Sequence, residues 1–130
     1  ADVLPVFREF ARLRERLVPY LVEQAAAGIA VGLPLMRPLW FGYPRDAAAW
    51  DHPYEYLLGD DLLVCPVTEP AAEIWKCHVP DGDWVDVWSG AEVTGPSAVD
   101  RPVPLTIVPV WCRAQAWPRL RHTFGARPAR

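Results

Sequence analysis

The first part of the chain carries a helical pattern of apolar positions. Spacings of three and four residues separate its members, which are Phe10, Leu13, Leu17, Leu21 and Ala25. Because side chains at this spacing share one face of a helix, residues 5–27 are predicted to form an amphipathic helix that needs a partner surface. Pro19 lies inside this segment and is expected to kink it, and Gly28 is expected to end it.

After residue 32 the pattern changes to short apolar runs separated by Pro, Gly and Asp. Such runs at fairly regular spacing are typical of an antiparallel β-sandwich. The predicted strands cover residues 33–41, 61–67, 74–79, 84–88, 98–103 and 107–113. The turn sequence PDGD at 80–83 predicts a hairpin between the third and fourth strands, and Ser89 and Gly90 predict another tight connection. The fold class is therefore mainly β, with one long N-terminal helix.

Composition places the chain among ordinary globular domains. It has 130 residues, of which 52% are hydrophobic, and a formal net charge of -3. This excludes a disordered segment, and the length is too short for a (β/α)8 barrel, which needs at least ~200 residues. Acidic residues (16) outnumber basic ones (13), so no nucleic-acid partner is expected. Residues 119–130 are expected to form a basic, solvated tail.

The sequence predicts neither a membrane segment nor a disulfide framework. No apolar run reaches the ~18 residues of a membrane helix, and the N-terminal residues do not resemble a signal peptide. Three cysteines, Cys65, Cys77 and Cys112, are widely separated without any CxxC pair. This pattern favours buried reduced thiols in a cytoplasmic protein over a disulfide set or a zinc site. No metal and no cofactor are expected.

Polar clusters in the sequence do not form a recognisable catalytic site. Asp60 and Asp61 are adjacent, and neighbouring residues entering a strand point to opposite faces. They are therefore badly placed for the paired carboxylates of a glycosidase, and a turn is predicted instead. A looser group has spacings that match no metal-ligand template, so a solvated loop is favoured; its members are Asp46, Asp51, His52 and Glu55. No catalytic residue is assigned.

Tryptophans are the most unusual remaining feature of the sequence. Trp84 and Trp88 are predicted to share one strand face with Asp86, while Val85 and Val87 share the other. Packing against a core or a neighbouring domain is the favoured interpretation. The alternative is a platform that stacks on sugar rings, with Trp84, Trp88 and Trp111 as the candidate sugar-binding residues.

Three segments taken together resemble glycoside hydrolase family 31, the retaining α-glucosidases and α-xylosidases. The first comprises residues 14–21 (RERLVPYL) and 32–39 (GLPLMRPL). The second is 56–67 (YLLGDDLLVCPV), in which Cys65 replaces the usual alanine. The third begins at 79–90 (VPDGDWVDVWSG) and continues through 103–105 (VPL) and 107–113 (IVPVWCR). The resemblance spans about residues 12–118.

The resemblance implies a position within a larger protein. In that family this stretch contains the last helix of the catalytic (β/α)8 barrel, followed by the proximal C-terminal β-sandwich. Residues 1–32 would then be a helix that belongs to a missing barrel, and 33–118 the sandwich that braces it. The catalytic aspartates of the family lie on the barrel strands, and nothing in this sequence matches their motifs. The chain by itself is therefore expected to be inactive.

Two further interpretations remain open at this stage. One is a freestanding carbohydrate-binding β-sandwich that uses exposed tryptophans and has an oligosaccharide as its partner. The other is a small structural or interaction domain. Both would leave the long helix without a second helix to meet, which the family resemblance explains as a severed domain interface.

Overall fold

The long N-terminal helix is present and is longer than predicted. A computed structural model describes residues 3–125, in which helix α1 spans Val3–Val31 and continues through Pro19. Gly28 does not end it, contrary to prediction: it is buried inside the helix, where a Cβ would lie 2.6 Å from the carbonyl oxygen of Leu33. The helix instead stops before Gly32, whose φ of +72° suits a residue without a Cβ.

Six strands in the described part of the chain form one antiparallel sheet. They are β1 (Met36–Pro38), β2 (Tyr56–Leu58), β3 (Leu62–Val64), β4 (Ile74–Asp86), β5 (Glu92–Pro102) and β6 (Val110–Arg113). Their order across the sheet is β1-β2-β3-β6-β4-β5. Two short helices, α2 (Leu39–Gly42) and α3 (Ala47–Asp51), lie between β1 and β2, and α4 (Trp117–Phe124) follows β6. The predicted fold class, a mainly antiparallel β structure after a long helix, is confirmed.

The predicted hairpin around residues 80–83 is wrong. Strand β4 runs unbroken through this sequence and pairs with β5 along its length, with a shift of register between Val79 and Gly82. Proline and glycine therefore mark a bulge here rather than a turn. The true hairpin turn lies after Asp86, whose carbonyl accepts a hydrogen bond from the Gly90 N–H at 2.8 Å. This confirms the tight connection predicted at Ser89 and Gly90.

Both faces of the central strands are buried. In β3, Leu62 and Val64 point into one apolar cluster while Leu63 points into a second. Trp111 in β6 belongs to the second cluster, and its neighbour Cys112 to the first. Alternate residues of a strand face opposite sides, so the sheet has two cores. We name them the helix core, which α1 and α4 cover, and the loop core, which the segment from β1 to β2 covers.

Helix α4 occupies residues that were expected to belong to a solvated basic tail. Leu120 and Phe124 are buried in the helix core, and Arg119 forms ion pairs with Glu23 and Asp61, both at 3.0 Å. An apolar face that follows the helical period holds this segment against α1. The remainder of the predicted tail, 126–130, lies outside the described residues, and the division of the chain into domains stays a prediction.

Candidate functional site

The turn between β2 and β3 joins the helix to the sheet. Tyr20 Oη donates a hydrogen bond to the carbonyl of Leu58 at 2.7 Å and accepts one from the N–H of Asp61 at 3.1 Å. One turn further along α1, Gln24 Oε1 accepts from the N–H of Asp60 at 2.8 Å. Gly59 has a φ of +66°, and a Cβ there would lie 2.7 Å from Tyr20 Oη. The turn predicted at Asp60 and Asp61 is confirmed.

Three arginines converge on the same turn. Arg37 Nη1 lies 2.6 Å from Asp60 Oδ1, and Arg113 Nε donates to the carbonyl of Asp60 at 2.9 Å. Arg119 pairs with the carboxylate of Asp61, where burial raises the pKa and the arginine opposes that rise. Both carboxylates are thus engaged in ion pairs within the domain. The arrangement stabilises the connection of α1, β1, β6 and α4, and it places no free carboxylate pair around a substrate.

The candidate sugar-binding tryptophans do not form an accessible platform. Trp84 and Trp111 lie in the loop core with 0% and 1% of their surface exposed, so neither can stack on a sugar in this structure. Trp88 lies on the other side of the sheet because β4 ends at Asp86, and the predicted shared face with Trp84 is wrong. Its indole packs edge-on against Phe10 and Phe124 and is half-buried.

A cluster of exposed aromatic residues lies on the α2–α3 segment. Trp40 and Trp50 stack with ring centroids 5.1 Å apart and an angle of 13° between their planes. Phe41 is 45% exposed and packs edge-on against Trp40, with ring centroids 6.3 Å apart. Tyr54, which follows α3, is 66% exposed. This surface was not predicted, because Trp40 and Phe41 were placed at the end of the predicted strand 33–41, while Trp50 and Tyr54 follow no period. The signal was available in the density of aromatic residues in 40–54.

Helix α1 carries a second apolar face besides the buried one. The exposed residues Phe7, Val18, Val22 and Ile29 are separated by 11, 4 and 7 residues. These spacings are close to whole numbers of helical turns, so the four side chains lie along one line. The buried residues Leu13, Tyr20, Gln24 and Gly28 occupy a different face. The helix therefore packs onto the sheet and still presents an uncovered apolar stripe.

The polar group that was expected to form a solvated loop is only partly solvated, which corrects that expectation: Glu55 is buried, Asp46 and His52 are partly buried, and Asp51 is exposed. Asp46 caps α3 by accepting from the N–H of Ala48, and its other oxygen lies 2.6 Å from His78 Nε2. Glu55 is 4% exposed; its Oε1 accepts from the N–H of His78 at 2.8 Å and lies 3.0 Å from His52 Nδ1. Burial raises the pKa of Glu55 to about 7 and lowers the pKa of His52.

Two cysteines that are distant in sequence meet beside Glu55. Sulfur atoms of Cys65 and Cys77 and a carboxylate oxygen of Glu55 lie within 4.8 Å of one another. All three residues are buried in or beside the loop core, and all three cysteines of the chain are free. Cys112 lies apart from them in the helix core, where burial raises the pKa of its thiol to about 12. Sequence spacing did not reveal this cluster.

Comparisons with known proteins identify the family. The profile of the Glycosyl hydrolase family 31 C-terminal domain matches residues 32–116. The 1,3-alpha-isomaltosidase of Kribbella flavida is 56% identical over 123 residues, which cover 95% of this chain and 17% of that protein. The Sulfoquinovosidase of Escherichia coli is 36% identical over 116 residues, covering 89% of this chain and 17% of that protein.

Solved structures agree with the sequence relatives. A mutant of Kfla1895 in complex with isomaltose superposes with a TM-score of 0.92 and 54% identity, over 96% of this chain and 18% of that chain. The cycloalternan-degrading enzyme from Trueperella pyogenes in complex with cycloalternan gives a TM-score of 0.84 and 41% identity, over 87% of this chain and 16% of that chain.

The chain spans about 17% of the length of these curated relatives. Among residues 3–125, no helix has the length and apolar character needed to cross a membrane. The residues that carried the sequence resemblance lie within or beside the matched domain, and their contacts hold its helices and strands together. The chain therefore belongs to glycoside hydrolase family 31, and residues 32–116 form the C-terminal domain of that family.

Proposed function

We propose that the chain is the C-terminal, non-catalytic portion of a retaining α-glycosidase that acts in carbohydrate metabolism. The observation that carries this proposal is the coverage: the match fills almost the whole chain but only 17% of the isomaltosidase. The carboxylates of Asp60 and Asp61 support it, because ion pairs with arginines occupy them. Cleavage would then take place on a barrel elsewhere in the same polypeptide, through a covalent glycosyl-enzyme intermediate.

The identity levels favour one substrate class. The chain is 56% identical to a 1,3-alpha-isomaltosidase and 36% identical to a Sulfoquinovosidase, and it is 30% identical to an Alpha-xylosidase from Saccharolobus solfataricus. We therefore assign α-linked glucose oligosaccharides that contain isomaltosyl units as the substrates of the complete enzyme. This is finer than the α-glucosidase or α-xylosidase activity that the sequence resemblance implies.

Activity measurements on the full-length polypeptide test this assignment. We expect it to release isomaltose from isomaltosyl-containing α-glucans with retention of anomeric configuration, which proton NMR follows directly. α-Xylosides and α-sulfoquinovosides serve as comparison substrates and should be cleaved at least tenfold more slowly. Faster cleavage of either comparison substrate, or inversion of configuration, would contradict the proposal.

The uncovered apolar stripe on α1 supports a role in bracing the barrel. Phe7, Val22 and Ile29 are 67%, 63% and 82% exposed, and exposed apolar side chains aligned on one face of a helix mark an interaction surface. The isomaltosidase is several times longer than this chain, and α1 lies directly before the matched domain. The remainder of the full-length polypeptide is therefore the natural partner of this stripe. We assign the stripe of Phe7, Val18, Val22 and Ile29 as the contact of this portion with the catalytic barrel.

A pair of matched variants tests the stripe in the full-length protein. Val22→Lys places a charge on the stripe, and Ala30→Lys places the same charge on an exposed residue at a different angle around α1. We expect Val22→Lys to lower the unfolding temperature and the activity together, while Ala30→Lys changes neither. Equal behaviour of the two variants would show that the stripe does not contact the barrel.

A cytoplasmic location is part of the same proposal. Three buried free cysteines support it, because Cys65 and Cys77 lie close together without being bonded, and thiols persist in reducing compartments. Fractionation of the producing cells with an assay for the full-length protein tests this location. Recovery of the protein in the culture medium or the cell envelope would contradict it.

A further inference from the structure

The loop core contains a set of donor atoms whose chemistry the glycosidase function does not use. The sulfur atoms of Cys65 and Cys77 and a carboxylate oxygen of Glu55 lie within 4.8 Å of one another. Cys65 follows β3, Cys77 lies in β4 and Glu55 precedes β2. Three separate elements of the fold thus bring three potential metal ligands to one buried point.

The carboxylate of Glu55 provides a second, independent observation. One of its oxygens, Oε1, is held by the N–H of His78 and by His52. The other, Oε2, is buried without a strong donor among the described residues, and a further hydrogen bond to this carboxyl comes from the Cys65 thiol, which is a weak donor. Burying a carboxylate that a thiol serves only weakly is costly. A cation bound between the Glu55 carboxylate and the two sulfurs would satisfy it.

From this geometry we propose that Glu55, Cys65 and Cys77 form a binding site for a thiophilic divalent cation of the Zn²⁺ class. Two sulfur ligands select Zn²⁺ over Ca²⁺ and Mg²⁺, which prefer all-oxygen sites. Ligand atoms around tetrahedral zinc lie roughly 3.5 to 3.8 Å apart, given bonds of about 2.0 to 2.3 Å. The three donors therefore need to close by only about 1 Å.

The surroundings favour such a site. Cys65 and Cys77 are fully buried among apolar side chains that include Leu63, Trp84 and Trp111. Burial raises the pKa of the Cys65 thiol, so the thiolate forms only as the cation binds. The dry environment then strengthens the attraction between cation and thiolates, and the thiol protons leave to solvent. The bound ion would hold the segment from β1 to β2 onto the sheet, through Glu55. The role is structural and does not depend on the proposed glycosidase activity.

Metal analysis of the full-length polypeptide tests the site. The protein is produced under reducing conditions in medium supplemented with Zn²⁺, because the buried donors are accessible during folding. We expect about one zinc ion per chain to survive gel filtration. Cys65→Ser and Cys77→Ser should each lower this content at least fivefold, whereas Cys112→Ser, the control at the third buried cysteine, should leave it unchanged.

Cobalt substitution provides a spectroscopic signature. Production with Co²⁺ should give thiolate-to-cobalt charge-transfer absorption that the Cys65→Ser and Cys77→Ser variants lose and the Cys112→Ser variant keeps. If a serine variant does not fold, the alkylation of each cysteine in the unmutated protein is measured instead, with and without the metal. Zinc should then slow the labelling of Cys65 and Cys77 at least tenfold relative to Ca²⁺, with no effect on Cys112.

Three outcomes would overturn the site. The first is a zinc content well below one ion per chain in the unmutated protein after production under these conditions. The second is equal metal retention in the Cys65→Ser, Cys77→Ser and Cys112→Ser variants. The third is an alkylation pattern in which zinc protects Cys112 as strongly as Cys65. None of these results bears on whether the full-length protein cleaves α-glucans, so the two proposals fail separately.

Discussion

The hydroxyl of Tyr20 donates a hydrogen bond to the carbonyl of Leu58 over 2.7 Å. This bond joins the middle of the long helix to the end of β2 across 38 positions of sequence. Tyr20 is 3% exposed, and burial raises the pKa of its hydroxyl above the ordinary value. The helix is therefore fixed to the C-terminal domain by a specific polar contact, in addition to apolar packing.

Loss of this hydroxyl should weaken the domain. Tyr20→Phe leaves the carbonyl of Leu58 and the N–H of Asp61 without their partner, and an unsatisfied buried group costs about 1 to 3 kcal/mol. We expect this loss in the free energy of unfolding from urea titration. Tyr54→Phe, at a residue that is 66% exposed, should change it by less than about 0.5 kcal/mol. Equal effects of the two variants would contradict this assignment.

Substitution of Gly59 should be costly for two reasons, its left-handed backbone and the close approach of the Tyr20 side chain. Gly90 shares only the left-handed backbone, so it serves as the control. Both have positive φ, +66° and +76°, but a Cβ at Gly59 would lie 2.7 Å from Tyr20 Oη, whereas nothing lies within 4 Å at Gly90. Gly90→Ala should therefore cost only the left-handed backbone, about 1 to 2 kcal/mol. Gly59→Ala should cost clearly more in the same thermal unfolding measurement. A cost no greater than that of Gly90→Ala would show that the helix moves aside freely.

The guanidinium of Arg113 has a geometry that lysine cannot reproduce. It donates to the Asp60 carbonyl and to Tyr43 Oη, at 2.9 and 2.6 Å, and lies 4.6 Å from the centre of the Trp84 ring. Arg113→Lys keeps the charge but loses the planar fork and its stacking, so we expect a loss of about 1 to 3 kcal/mol in stability. Arg121→Lys, at an exposed position, is the control and should unfold as the parent does.

The carboxyl of Asp61 should make stability depend on pH. Burial raises its pKa, and Arg119 opposes that rise. A carboxyl with a raised folded-state pKa favours the folded state at low pH, and this contribution is lost as pH increases from about 4 through the raised pKa. Because Arg119→Gln removes the opposing charge, the variant should lose more stability than the parent as pH rises over this range.

Unfolding temperatures at several pH values between about 4 and 7 check this difference. Arg12→Gln is the matched control, because the ion pair of Arg12 with Glu9 is exposed on both sides, at 64% and 62%. It should follow the pH dependence of the parent. Parallel curves for Arg119→Gln and the parent would show that the ion pair does not govern the pKa of Asp61.

The sequence correctly predicted the helix α1 and the turn at Gly90, because the geometry of both depends mainly on residues close by in the chain. The apolar period of α1 is visible in Phe10 and Leu13, and both pack in the helix core. Gly90 marks a turn because a positive φ favours glycine in any context. The prediction failed at Gly82, which also has a positive φ of +117°. There the pairing of β4 with β5 keeps the strand extended through a bulge, and only the partner strand decides this.

Distant contacts explain the remaining differences. Trp84 and Trp88 lie on opposite sides of the sheet, because Trp84 packs in the loop core and Trp88 packs against Phe10 and Phe124 in the helix core. Leu120 is buried because α1 provides a surface for α4. Glu55 tolerates burial because its carboxylate accepts the N–H of His78, which is 23 positions away. None of these partners is adjacent in sequence, so no local period contains the information.

The sequence by itself determined the long amphipathic helix, the mainly β character and the family, because periodicity and motif order are properties of neighbouring residues. The tertiary structure alone decided which tryptophans are buried, which face of α1 stays uncovered, and that Cys65 and Cys77 meet Glu55. These facts depend on strand register and sheet order. Strand register depends on how each strand pairs with its partners and buries its apolar face, so it cannot be predicted from one segment of sequence alone.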